Sequence, residues 1–139
     1  MAIDPLISSM RIAGSGMQSQ STRLRVVSEN IANAQSTGPT AGSNPYARKT
    51  ITFDSELDRA SGENLVEVKS IGVDTTPFRV EHMPGNPAAD ANGDVKMPNI
   101  DLLFEMGDMR EANRSYEANL QVVKQSRQML SDTIDLMRS

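Results

Sequence analysis

Few residues of this chain could carry out chemistry. It has one histidine, His82, and no cysteine. That removes a thiol nucleophile, a disulfide framework and a cysteine zinc site, and one histidine cannot build a multi-histidine metal cage. No Ser and Asp stand at triad-like spacing to His82, which is read as a surface or strand-edge residue. Asp90-Ala-Asn-Gly-Asp94 places oxygens in the alternating order of a calcium loop. An EF-hand loop also needs Gly at its sixth place and Glu at its twelfth. Val95 and Asp101 stand there and Pro98 interrupts, so a plain turn is expected. Gly14-Ser-Gly16 is only a fragment of a phosphate loop, with no strand before it and no Lys-Ser/Thr after it. It is read as a hinge or a close helix approach. Asn113-Arg-Ser115 has the form of a glycosylation acceptor but falls on a helical seam, which makes it a chance match. No catalytic residue, no metal site and no cofactor is expected.

Composition points the same way. The chain has 139 residues, of which 37% are hydrophobic and 4% aromatic, with a net charge of -4. So few large apolar groups can hardly fill a compact core, yet the charge is too small for a fully disordered chain. Long elements with narrow apolar stripes are implied. A pI near 4.9 argues against sequence-independent nucleic-acid binding. No run approaches the length of a membrane-spanning helix. The start, MAIDPLISSMRIAGSGM, has no basic segment followed by a continuous apolar one, so no cleaved signal peptide is expected.

Three parts separate: 1–35 and 99–139 as helices, and 36–98 as an extended loop and small β region that holds every proline but Pro5. In the first helix every seventh residue from Ile3 gives Ile3, Met10, Met17, Leu24 and Ile31. Three residues on come Leu6, Ala13, Gln20, Val27 and Ala34. This is the a/d seam of a coiled coil. The second helix repeats it, with Met106, Asn113, Leu120, Arg127 and Ile134 as one row and Met109, Tyr116, Val123, Leu130 and Met137 as the other. Asn113 and Arg127 on that seam are read either as register setters or as groups facing a wet interior or a neighbouring chain. Asp4-Pro5 and Pro98-Asn99 are expected to open the helices, and Thr37-Gly38-Pro39 to stop the first. Tyr46–Phe53 and Leu65–Val73 read as strands, with Phe78–Val80 as a third. The predicted fold class is mainly α, with long N- and C-terminal helices pairing as an antiparallel coiled coil and a small β/loop middle region. In that register Arg23 and Arg25 lie beside Glu111 and Glu117. Apolar residues off the seam, and nine methionines, leave surface for other subunits.

Several motifs carry a resemblance. Ser28-Glu-Asn-Ile-Ala-Asn-Ala-Gln-Ser-Thr-Gly38 resembles the N-terminal signature of bacterial flagellar rod and hook proteins, matched at Asn30, Asn33 and Gly38. Pro45-Tyr-Ala-Arg-Lys49 is similar to the family's P-Y-x-x-K step, matched at Tyr46. The stretch from Pro84 to Asp101 resembles a segment of the proximal rod proteins, matched at Pro84, Pro87, Gly93, Pro98 and Asn99, with Asp94 where an aromatic is usual. Arg114-Ser-Tyr-Glu-Ala-Asn119 is similar to the family's terminal helix. The resemblance implies a structural, non-enzymatic subunit of the proximal rod of the flagellar basal body. Such subunits assemble helically into a drive shaft and export channel. Implied partners are further copies of the chain, other proximal and distal rod proteins, the inner-membrane ring and export-gate adaptor, and the flagellar type III export apparatus. Nucleic acid and direct membrane insertion are not implied. The implied location is the periplasmic rod, reached without a cleaved signal peptide. The readings that compete with it are another axial flagellar subunit, a small α/β enzyme and a helical adaptor or secretion chaperone; no motif supplies the enzyme's pocket.

Overall fold

A computed structural model describes residues 3–139; Met1 and Ala2 and the side chain of Ile3 lie outside the described residues. The order of elements is α1 (Ile3–Ala32), β1 (Lys49–Asp58), β2 (Glu63–Val73), β3 (Arg79–His82), β4 (Asp94–Met97) and α2 (Leu102–Arg138). The fold is mainly α, with β1–β2 and β3–β4 as two separate two-stranded antiparallel sheets.

The element ends differ from the sequence reading for local reasons. α1 stops at Ala32, short of Thr37-Gly38-Pro39, because Asn33 turns its own side chain back onto the Glu29 carbonyl at 2.8 Å. Its backbone N–H is shared between the Glu29 and Asn30 carbonyls at 3.1 and 3.2 Å. Such local side-chain bonds compete with the helix ladder. α2 is opened by Asp101, not by Pro98-Asn99. The Asp101 Oδ1 accepts from the N–H groups of Leu103 and Phe104 at 3.0 and 3.3 Å, the geometry of an N-cap. β1 begins at Lys49 rather than Tyr46. β4 is not among the expected strands: four residues closed by a proline give little pattern, although Val95 and Met97 alternate inward against Ala88.

The chain divides into two compact units. The first comprises Met1–Leu24, Thr52–Ser70 and Arg110–Ser139. Within it α1 and α2 run side by side in opposite directions, with Gly16 against Asn119 and Arg23 3.7 Å from Glu111. Arg25, which belongs to the second unit, pairs with Glu29 one turn on, at 3.3 Å. A Cβ on Gly16 would stand 2.8 Å from the Asn119 amide nitrogen, whereas one on Gly14 would meet nothing within 4 Å. Gly16 is therefore a point of close approach, and α1 passes through both glycines unbroken. The hairpin of β1 and β2 is tied to α1 through Val66, whose N–H donates to the Ser15 hydroxyl at 3.2 Å and whose carbonyl accepts from Ser19 at 3.0 Å. Asp58 organises the turn, accepting from Ala60 N–H and the Ser61 hydroxyl at 3.0 and 2.8 Å.

The second unit comprises Arg25–Ile51 and Ile71–Met109. It holds the β3–β4 hairpin, in register Arg79↔Met97 to His82↔Asp94. Ala88, Val95 and Met97 form a small buried cluster, flanked by Met83 and Ala89.

The two glycines of α1 should respond in opposite ways. Gly14→Ala should stabilise the chain by about 0.5–1 kcal/mol, since it only removes the backbone freedom of glycine. Gly16→Val should destabilise it by about 1–3 kcal/mol by overpacking against Asn119. Thermal unfolding followed by far-ultraviolet circular dichroism checks both signs.

Candidate functional site

The best-defined constellation lies in the second unit and is built on Asn30. This residue closes the last turn of α1 and is 1% exposed. Its Oδ1 accepts from the Lys49 N–H at 2.9 Å and from the Tyr46 hydroxyl at 3.1 Å. Its Nδ2 donates to the Lys49 carbonyl at 2.9 Å and to Glu105 Oε2 at 3.2 Å. The amide thus uses its whole hydrogen-bonding capacity and grips both main-chain groups of Lys49, as a neighbouring strand would.

Glu105, in the first turn of α2, is 0% exposed. Its Oε1 pairs with Arg48 Nε. Arg48 reaches on to Asp74 at 3.4 Å and lies over the Phe104 ring, 5.4 Å from its centroid. The Arg48 backbone N–H is held by Asn99 Oδ1 at 2.9 Å. The Asn99 amide in turn donates to the carbonyls of Asp74 and Thr76 at 3.2 and 3.1 Å. Beside this node Lys49 Nζ meets Glu29 at 2.6 Å. The arrangement offers paired, satisfied charges with no free nucleophile, so its physical work is to hold three chain segments in one register.

Asn30, Tyr46 and Asn99 are therefore brought together here. Asn33 and Gly38 shape the exit from α1; a Cβ on Gly38 would stand 2.0 Å from the Ser43 hydroxyl oxygen. Pro84 and Gly93 meet at the β3–β4 turn. Gly93 has φ 82°, and a Cβ there would lie 2.9 Å from His82 and 3.0 Å from Pro84. Pro98 is buried and Pro87 exposed. Asp90 Oδ1 accepts from the N–H groups of Asn92 and Asp94 at 2.8 and 3.0 Å, so it shapes a turn. Asp94 pairs with His82 Nδ1 at 3.0 Å across the strands. Among the described residues no group of three or more His, Cys, Asp or Glu could hold a metal.

The seam residues are placed unevenly. Val27 is buried; Leu6, Met10, Met17, Leu24, Ile31, Met109, Tyr116, Leu120, Val123 and Leu130 are half-buried. Ile134 and Met137 are 43% and 73% exposed. On α2 the deepest positions stand one residue ahead of the expected first row. They are Ala112 and Ser126 in the first unit and Glu105 in the second. On α1, Gly16 and Arg23 in the first unit and Asn30 in the second each touch α2. A count of apolar residues misses this row because its members are small or polar. Glu105, Arg48 and Asp74 were not singled out as a cluster. The heptad spacing of Glu105, Ala112, Asn119 and Ser126 was the signal that could have found Glu105.

Several carboxyls are shifted. The Lys49 ammonium bonded to Glu29 holds that carboxyl below its ordinary value of 4.5. The Thr76 N–H and hydroxyl, then Arg48, hold Asp74 below 3.8. Burial pushes the Tyr46 phenol up. A carboxyl whose folded pKa is depressed contributes stability above its unfolded pKa and loses it as pH falls through the folded one. Glu29 and Asp74 should thus make the protein less stable as pH falls below the ordinary carboxylate range. Glu29→Gln with Asp74→Asn should flatten that acid limb in a pH series of unfolding midpoints.

Substitution separates the two halves of the buried pair. Arg48→Ala strands the Glu105 carboxylate and should destabilise the protein by about 3–5 kcal/mol. Arg48→Met together with Glu105→Leu should recover most of that, as measured by urea unfolding.

Comparison with known proteins agrees with this geometry. The family described as "Flagella basal body rod protein" matches residues 10–40, and that described as "Flagellar basal body rod FlgEFG protein C-terminal" matches residues 91–136. The chain is 62% identical over 137 residues to the flagellar basal-body rod protein FlgC of Agrobacterium fabrum, covering 99% of each. It is 42% identical over 134 residues to that of Salmonella typhimurium, covering 94% of this chain and 97% of the relative. To that of Borreliella burgdorferi it is 34% identical, covering 96% and 98%. With likeness running the length of the molecule, the chain belongs to the FlgC family of flagellar basal-body rod proteins.

Proposed function

We propose that this chain, a structural subunit of the flagellar basal-body rod, is built into the proximal rod by its two long helices, which run as an antiparallel coiled coil. Residues 1–35 and 99–139 form the paired helical part and residues 36–98 the loop and β part. Its neighbours are further copies of itself, other proximal and distal rod proteins and the inner-membrane ring with its export-gate adaptor. It travels through the type III export apparatus to the periplasm, and the finished tube serves as drive shaft and export channel. The seam residues from Leu6 to Ile31 and from Met109 to Leu130 hold the helices together, and the Asn30 node fixes their register.

The observation that carries the assembly reading is the apolar surface left open on α2. Leu103 and Phe104 near its start are 82% and 62% exposed, and Leu136 and Met137 at its end are 76% and 73% exposed. Clusters of this kind mark protein contacts, and a helix so dressed is completed by other subunits.

Leu103→Ser with Leu136→Ser should leave the circular dichroism spectrum of the purified chain unchanged while this subunit, and the distal rod and hook beyond it, disappear from basal-body preparations. Val27→Asp, which buries an unpaired charge in the fold itself, should lose both spectrum and rod. Normal basal bodies built from the Leu103/Leu136 variant would remove the support for this reading.

A further inference from the structure

The first unit carries two solvent-facing surfaces of opposite charge. The hairpin segment Thr52–Ser70 holds Asp54, Glu56, Asp58, Glu63 and Glu67 against Arg59 and Lys69. Two of these acids are paired: Asp54 lies 3.5 Å from Lys69, and Glu63 lies 3.6 Å from Arg11. Glu56 and Glu67 are both exposed and have no cationic partner among the described residues, and hydrogen bonding and charge from Glu56 raise the pKa of Glu67. Like charges set opposite on neighbouring strands destabilise a sheet, and this pair lies in the open, where a cation from outside can reach it.

The matching cations are on α2. Arg110, Arg114, Lys124 and Arg127 are all exposed, and among the described residues none has an acidic partner. Of the two acids between them, Glu111 is engaged by Arg23, which leaves Glu117 alone against four cations. The hairpin is fastened to α1 through Ser15 and Ser19, whereas the cations stand on α2, so both surfaces can be engaged at once.

We propose that the acidic hairpin face around Glu56 and Glu67 of one copy docks on the basic strip Arg110–Arg127 of α2 in a second copy. The proposal rests on the rod-subunit reading and names the surfaces by which copies meet. Because the two surfaces differ, the contact is heterologous: each copy keeps one face free for the next, and the contact repeats instead of closing into a dimer. Lys124 or Arg127 of the second copy would end the repulsion of Glu56 and Glu67. Charge of this kind orients partners and speeds their encounter, while the exposed apolar residues of α2 supply adhesion.

The test uses the full-length chain in sedimentation velocity over a concentration series at low and high salt, with circular dichroism to confirm that each variant is folded. Glu56→Lys with Glu67→Lys, and separately Lys124→Glu with Arg127→Glu, should each weaken self-association about tenfold or more. Mixing the two reversed variants should restore it, since each then offers the charge the other lacks. High salt should weaken the unmodified chain toward the level of the variants. The proposal is overturned by unchanged association of both variants, by a mixture that stays dissociated, or by an unmodified chain that does not associate at low salt. Basal-body preparations from cells carrying each variant separate this from the wider reading. Normal incorporation of the reversed chains overturns the docking proposal alone, whereas absence of the unmodified chain from basal bodies overturns the rod-subunit reading itself.

Discussion

A carboxylate taken wholly out of water must find a counter-charge, and Glu105 finds one in Arg48. Most of the second unit can be read as the consequence. Arg48 must arrive beside the first turn of α2, so the segment before β1 is pinned to Asn99 by its backbone and to Asn30 by the two main-chain groups of Lys49. Asn30 can do this only if α1 ends beside it, and Asn33 ends the helix there. A shift of α2 by one residue would leave the carboxylate buried without a partner, at a cost of several kcal/mol. Apolar side chains tolerate such slips far better. The node therefore supplies specificity of register, which a protein with so little apolar material cannot obtain from packing alone.

That division of labour explains what was legible in the sequence. The two helices were, because a period of seven survives over many residues regardless of tertiary detail. The first two strands were, through their β-branched runs. The motif residues Asn30, Tyr46 and Asn99 were found as a pattern, but their meeting was not, because they are 16 or more positions apart in sequence and act through backbone groups that have no sequence signature. Ala13, Val27 and Ala34 of an expected row are buried, and beside them stand close contacts one residue ahead of the other row, for a physical reason. Close approach favours Gly16, Ala112 and Ser126, whereas a search for apolar rows selects Met17, Leu120 and Met106. An acid in the first turn of a helix suits the helix dipole, so Glu105 by itself gives no sign of its role. Only the fold shows that it is buried.

The exposed residues fit the same picture. Many of the chain's large apolar groups stand exposed on α2, among them Leu103, Phe104, Leu136 and Met137, while close helix contacts such as Gly16 against Asn119 use small or polar residues. The family's role as a structural rod component suits a chain whose open apolar surface is covered by neighbours.

The attachment of Val66 to Ser15 and Ser19 has a bearing on how the hairpin meets other strands. A two-stranded hairpin has unpaired amides and carbonyls along both flanks, a ready template for a foreign strand, and crowded hairpins can zip into cross-β aggregates. On the β2 flank the helix hydroxyls already occupy the bonds of Val66 that an incoming strand would need. Two serines one helical turn apart thus block Val66 to a foreign strand on that flank.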